Sequence, residues 1–193
     1  MPRPVTLFTG QTLTGVSALL ETFVKERPLP AAAGSLSGVA GEGTGTVTVD
    51  DAAVFLGRFS GGALGSFEAT RFALGRKNAI RIEVNGSAGS LAFDFEDMNV
   101  LDFYDGAEPA ETAGFRRIVV TEPEHPYVGA WWPAGHGLGY EHGFTHQVVD
   151  LVTAIAKGED PAPSFADGLH VQRVLDAVER SAAARSTWTE IPA

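Results

Sequence analysis

From Ala52 to Thr121 the sequence runs as short segments of alternating apolar and polar residues, each closed by a turn rich in glycine or aspartate. Residues 52–59 (AAVFLGRF) and 63–71 (ALGSFEATR) flank Ser60-Gly61-Gly62, a connection of hairpin length. Residues 79–84 (AIRIEV) and 90–94 (SLAFD) flank Asn85-Gly86-Ser87-Ala88-Gly89, whose Asn-Gly pair suits a turn with positive φ. Residues 99–104 (NVLDFY) stop at Asp105-Gly106, and 115–121 (FRRIVVT) follow a polar loop. Turns this short set consecutive segments side by side and antiparallel. Two helical patterns come next. Residues 140–156 place Phe144, Val148, Leu151, Val152 and Ile155 on one face, with Gly158 positioned to stop the helix. Ser164-Phe165-Ala166-Asp167 reads as a capping box before a second helix that carries Leu169, Val171, Val174, Leu175, Val178 and Ala182. Strands followed by helices, with no βαβ alternation, predict an α+β fold: an open, mostly antiparallel sheet covered on one face by helices.

The flanks are less regular. Residues 1–12 predict an irregular arm, and 13–193 a single α+β domain. Val16, Ala18, Leu20, Thr22 and Val24 share one parity and predict a strand that Pro28 and Pro30 end. Residues 31–45 predict a flexible, glycine-rich connection, 46–49 a short strand, and 186–191 a closing strand.

Composition narrows the function classes. A net charge of −10 disfavours nucleic acid and anionic membrane as partners. With no cysteine, disulfides, thiolate catalysis and cysteine-bound zinc are excluded, which accords with a cytoplasmic location. No apolar run approaches the roughly 20 residues of a membrane helix, and residues 1–11 lack the continuous apolar core of a signal peptide.

The chemistry concentrates in residues 131–157, WWPAGHGLGYEHGFTHQVVDLVTAIAK. Gly135-x-Gly137-x-Gly139 precedes a helix, where a phosphate-binding turn would lie, but no buried strand leads into it. A plain turn into the helix is the stronger expectation. His142, His146 and Asp150 share a helix face at steps of four, a spacing that can hold a metal, although Gly143 stands where the HExxH pattern needs glutamate. No metal site is expected. His136, Tyr140 and His142 beside Trp132 suit a polyhydroxy substrate, with rings stacking on C–H faces and polar groups reading hydroxyls. Arg76 belongs to the only basic cluster and is a candidate for an anionic group.

Residues 131–157 and 165–181 (FADGLHVQRVLDAVERS), with AAVFLGRFSGGALGSFEATR and IEVNGSAGSLAFDF, resemble the C-terminal part of the Gfo/Idh/MocA family of nicotinamide-dependent sugar and polyol oxidoreductases. The resemblance covers roughly residues 13–191. It implies an open antiparallel sheet with helices on its active-site face and a second subunit on the other, and hence a homo-oligomer. It puts His136 and Tyr140 near the substrate pocket. Family members also carry a Rossmann GxGxxG, a Glu-Lys-Pro with the catalytic lysine, and an Asp-x-x-x-His with the acid/base histidine. None of these motifs occurs in the sequence. The resemblance therefore implies a substrate-binding and oligomerisation domain, inactive alone, with NAD or NADP serving the intact enzyme, no cofactor bound to this chain alone, and no catalytic residue assigned within it. The alternative is a non-catalytic carbohydrate-binding and dimerisation module; a metalloprotein using His142 and His146 is the third.

Overall fold

Strand β1 (Leu13–Glu21) puts Leu13, Val16 and Ala18 into the core of the computed structural model, which describes residues 10–31 and 38–192. It lies between β4 (Ala52–Phe59) and the short β10 (Thr189–Glu190), and β5 (Leu64–Thr70) extends the sheet to the order β10-β1-β4-β5, all antiparallel. Ser60-Gly61-Gly62 makes the expected β4–β5 hairpin, with positive φ at Gly62. Helix α2 (Phe165–Ala183) packs on β1. Val174, Ala177 and Val178 of the helix meet Leu13, Val16, Ala18, Phe59 and Ile191 in one apolar cluster. Full burial of a valine such as Val16 contributes about 1.5–3 kcal/mol. The predicted capping box starts α2: Ser164 Oγ accepts the Asp167 N–H and the Asp167 carboxylate accepts the Ser164 N–H.

These elements belong to one compact unit, made of the described residues up to Leu74 and from Pro163 onward; residues 75–162 form a second. The second unit holds the sheet β6-β7-β8-β9: Arg81–Gly86, Gly89–Asp94, Val100–Asp105 and Arg116–Val119, again all antiparallel. Its α1 (Tyr140–Lys157) ends at Gly158, in the left-handed conformation with φ 67°. The α+β, open antiparallel architecture is as the sequence predicts.

Several local expectations need correction. Pro28 and Pro30 do not end the chain's extended run; they lie within β2 (Glu26–Pro30), which pairs with β3 (Ala40–Thr46). A two-stranded ribbon tolerates proline because each strand keeps an edge that needs no N–H. Much of the expected glycine-rich connection is therefore strand, and a Cβ on Gly45 would sit 2.9 Å from the Leu29 side chain. Residues 32–37 lie outside the described residues, as does most of the expected N-terminal arm. The predicted strand at 46–49 reduces to the last residue of β3, and the closing strand to the two residues of β10. Asn85 and Gly86 finish β6, so positive φ falls on Gly89 (158°) rather than on the Asn-Gly pair.

Two buried polar groups join elements of the first unit. Ser181 is fully buried, and its hydroxyl accepts the Ala18 N–H at 2.9 Å while donating to the Thr187 carbonyl at 2.8 Å. It supplies β1 with an acceptor beyond the point where β10 stops. Ser181→Ala leaves the Ala18 N–H buried without a partner, at a cost of about 1–3 kcal/mol. Urea unfolding of this variant against the parent should show a lower midpoint with unchanged slope.

Asp51, with 2% of its surface exposed, turns the chain from β1 into β2. One carboxylate oxygen accepts the Phe23 and Val24 N–H groups at 2.9 Å, and the other the Arg27 guanidinium at 2.7 Å. The Val24 N–H, followed by the Phe23 N–H and Arg27, holds the carboxyl below its ordinary range against the opposing effect of burial. A lowered folded-state pKa contributes stability that is present above the ordinary aspartate value of about 3.9 and lost as pH falls below it. Melting temperature should therefore fall between about pH 5 and pH 3, more steeply for the parent than for Asp51→Asn. Equal slopes would dismiss the clamp.

Candidate functional site

The second unit gathers aromatic and imidazole groups where the 122–139 segment meets α1. Val128, 1% exposed, anchors a 3-10 turn at Val128–Ala130, and its carbonyl accepts the Trp131 N–H at 2.9 Å. Trp131 then faces α1. Its indole N–H donates to His146 Nε2 at 2.8 Å, and its ring stands edge-on to His142 with centroids 4.4 Å apart. Trp132 approaches His142 edge-on at 6.4 Å. Tyr127 stacks on His146 at 4.3 Å and 15°, and its hydroxyl donates to Asp150 Oδ2 at 2.8 Å. That bond, together with burial, pushes the phenol's pKa above its ordinary value. Tyr127 holds φ 70°, ψ −27°, a conformation costing a non-glycine residue about 1–3 kcal/mol.

The hydrogen bonds fix the imidazole tautomers. His142 Nδ1 accepts the Gly139 N–H at 2.9 Å, which leaves Nε2 as the donor. His146 accepts through Nε2, so its proton sits on Nδ1. His136 bonds the Pro133 carbonyl through Nδ1, which must donate, and keeps Nε2 as an acceptor. The lone pairs that a metal would need on His142 and His146 already accept N–H groups. Among the described residues no cluster of three or more His, Asp or Glu could hold a metal ion.

The glycine turn is held from inside. The Asn99 side-chain amide donates to the Leu138 carbonyl at 2.9 Å, and its oxygen accepts the Leu138 N–H at 2.8 Å. The Gly135 N–H bonds Thr121 O, and the Gly139 N–H bonds His142. With these N–H groups engaged, the turn does not fit the pyrophosphate of a dinucleotide, and it serves as the entry to α1.

The predicted site residues fall into separate groups. Trp132 and His142 belong to the aromatic cluster described above. Exposed Tyr140 packs edge-on against Phe95 and Phe144, at 6.0 and 5.1 Å. Arg76 is paired with Glu96 at 2.6 Å, and Glu96 also accepts the Lys77 N–H. The Lys77 N–H and Arg76 hold the Glu96 carboxyl below its usual range. Tyr127 and Asn99 escape sequence reasoning. Their partners stand 23 and 39 residues away, beyond any local spacing.

Residues 5–92 match the model of the GFO/IDH/MocA C-terminal domain. Over 183 residues the chain is 40% identical to the levoglucosan dehydrogenase of Pseudarthrobacter phenanthrenivorans, covering 93% of this chain and 46% of that protein. The crystal structure of an oxidoreductase domain protein from Kribbella flavida superposes with a TM-score of 0.88 at 68% identity, covering 98% of this chain and 47% of that one.

The chain is thus similar to the C-terminal domain of the Gfo/Idh/MocA family.

A levoglucosan dehydrogenase solved with NADH and levoglucosan also superposes, with a TM-score of 0.83 at 38% identity, covering 94% of this chain and 46% of that one. The chain thus spans about half the length of the relatives it matches. No helix among the described residues is long and apolar enough to cross a membrane.

Proposed function

We infer that this Gfo/Idh/MocA domain is the substrate-binding and oligomerisation part of an NAD- or NADP-dependent oxidoreductase that acts on a sugar or related polyol. The observation that carries the reading is the wall of Trp131, Trp132, His142 and His146. Indole and imidazole faces stack on the C–H faces of a pyranose, and two imidazole N–H donors of fixed direction serve hydroxyl oxygens. The likeness to levoglucosan dehydrogenase supports a neutral sugar. Arg76, held by Glu96, contributes no cation to an anionic substrate.

In the intact enzyme the nicotinamide would exchange a hydride with an alcohol carbon. The residues of this chain bind and orient that alcohol, and alone they do not perform the reaction. Assembly is assigned to the outer face of the first unit's sheet. Leu19 and Val54 are register partners there, and alternate residues Leu56 and Leu64 continue an apolar stripe with 49–73% of each side chain exposed. A stripe of this kind is best covered by a second copy.

The test is a titration of the chain with levoglucosan and, separately, with NADH, following the fluorescence of its tryptophans. Saturable quenching by the sugar and none by NADH is expected. The reverse pattern would overturn the reading. Sedimentation of the same sample should show a dimer or larger species, and a monomer at high concentration would remove the assembly role.

A further inference from the structure

We propose that Tyr127 and Asp150 are positioning residues for the Trp131–His146 pair, holding indole and imidazole in the arrangement in which His146 offers its Nδ1–H to a ligand. The purpose of this clamp rests on the sugar-binding reading above; its mechanics rest on geometry alone.

Tyr127 occupies a backbone conformation that tyrosine rarely adopts, and three restraints keep it there. Its hydroxyl is bonded to Asp150, its ring lies flat on His146, and the next residue, Val128, is buried. His146 and Asp150 are four residues apart on α1 and so stand on one face, one turn apart. Tyr127 spans that turn: ring on the first, hydroxyl on the second. The strained residue directly precedes the turn whose Val128 carbonyl fixes the Trp131 backbone. The direction of the Trp131 indole N–H, and with it the tautomer of His146, therefore follows from where Tyr127 is held. The bond to Asp150 also pushes the phenol's pKa up, so the proton stays on the Tyr127 oxygen and is donated to the carboxylate. Without the bond, only the stack on His146 and the buried Val128 oppose the strain at residue 127, the stack loosens, and Trp131 loses its fixed approach.

The experiment uses the full 193-residue chain with Tyr127→Phe, Asp150→Ala and Asp150→Asn. Nitrogen-15 spectra report the His146 tautomer, proton spectra the Trp131 indole N–H, and fluorescence the binding of levoglucosan. In Tyr127→Phe and Asp150→Ala, His146 should become a mixture of tautomers and the indole resonance should shift. Levoglucosan should bind about tenfold more weakly, the loss of one positioned hydrogen bond. Asp150→Asn keeps an oxygen for the Tyr127 hydroxyl and should restore all three. An unchanged tautomer and indole signal in both disrupting variants would overturn the clamp, as would Asp150→Asn behaving like Asp150→Ala. If the parent chain binds no levoglucosan but the tautomer responds as described, the sugar reading fails and the clamp stands.

Discussion

Replacing Gly89 by alanine is expected to unfold the second unit's sheet at temperatures the parent survives. Gly89 opens β7 at φ 158°, paired to Gly86 on one side and Asp105 on the other. A Cβ there would lie 2.3 Å from the Tyr104 carbonyl oxygen and 3.4 Å from its carbon. Both atoms are backbone of the neighbouring strand, so relief requires β7 and β8 to part. The strands that would part carry the Leu91–Phe103 pair in their ladder. Clash and backbone strain together should cost about 3 kcal/mol or more, lowering the melting temperature by roughly 10 °C. Gly86→Ala is the internal control. Its Cβ would meet the Gly89 carbonyl oxygen at 3.6 Å, ordinary contact, and its φ is not positive. That variant should melt within a degree or two of the parent. If both variants melt alike, the close approach at Gly89 is not what holds the hairpin.

The second large effect is on binding. Trp131→Ala removes a stacking face and the N–H that fixes His146, and it exposes the edge of His142. Truncating an aromatic anchor that also orients its neighbour should weaken levoglucosan binding by about 50-fold, near 2.3 kcal/mol. Trp131→Phe keeps a ring but no N–H donor, so it separates the two contributions: an intermediate loss is expected. Trp188→Ala is the comparison. Trp188 lies over Gly15 in the first unit, where its ring atoms would be 2.5 Å from a Cβ, and its loss should leave sugar binding unchanged. Isothermal calorimetry on the three variants reads all of this. Equal affinity of Trp131→Ala and the parent would remove residue 131 from the site.

These two predictions separate what is local from what is not. The hairpin around Gly89 was legible as a hairpin because glycine, asparagine and serine cluster between two alternating segments. Which glycine carries the positive φ was not. That depends on how the β8 backbone passes behind it, and no residue near 89 encodes the position of residue 104. The ribbon of β2 and β3 was hidden for a related reason. Proline and glycine disfavour strands on average, yet Leu29 lying against Gly45 makes glycine the fitting partner once the two segments pair.

The candidate site divides in the same way. Trp132, His136, Tyr140 and His142 stood out because they are aromatic and imidazole residues packed into one short span, and His142 and His146 because they share a helix face. The histidine tautomers, the engaged glycine turn and the pairing of Arg76 with Glu96 emerged only from geometry.

By itself, then, the sequence determined the order of strands and helices outside the β2–β3 ribbon, the capped start of α2, the glycine end of α1, and the likeness to a family. Each of these is written in periodicity, capping residues and turn residues within a few positions of one another. The tertiary structure decided how Asp51 gathers residues 23, 24 and 27, how Ser181 completes β1, and how Tyr127 reaches Asp150. Those contacts join residues 23 to 163 positions apart. A hydrogen bond over such a separation has no sequence period, because its existence depends on the packing of everything folded in between.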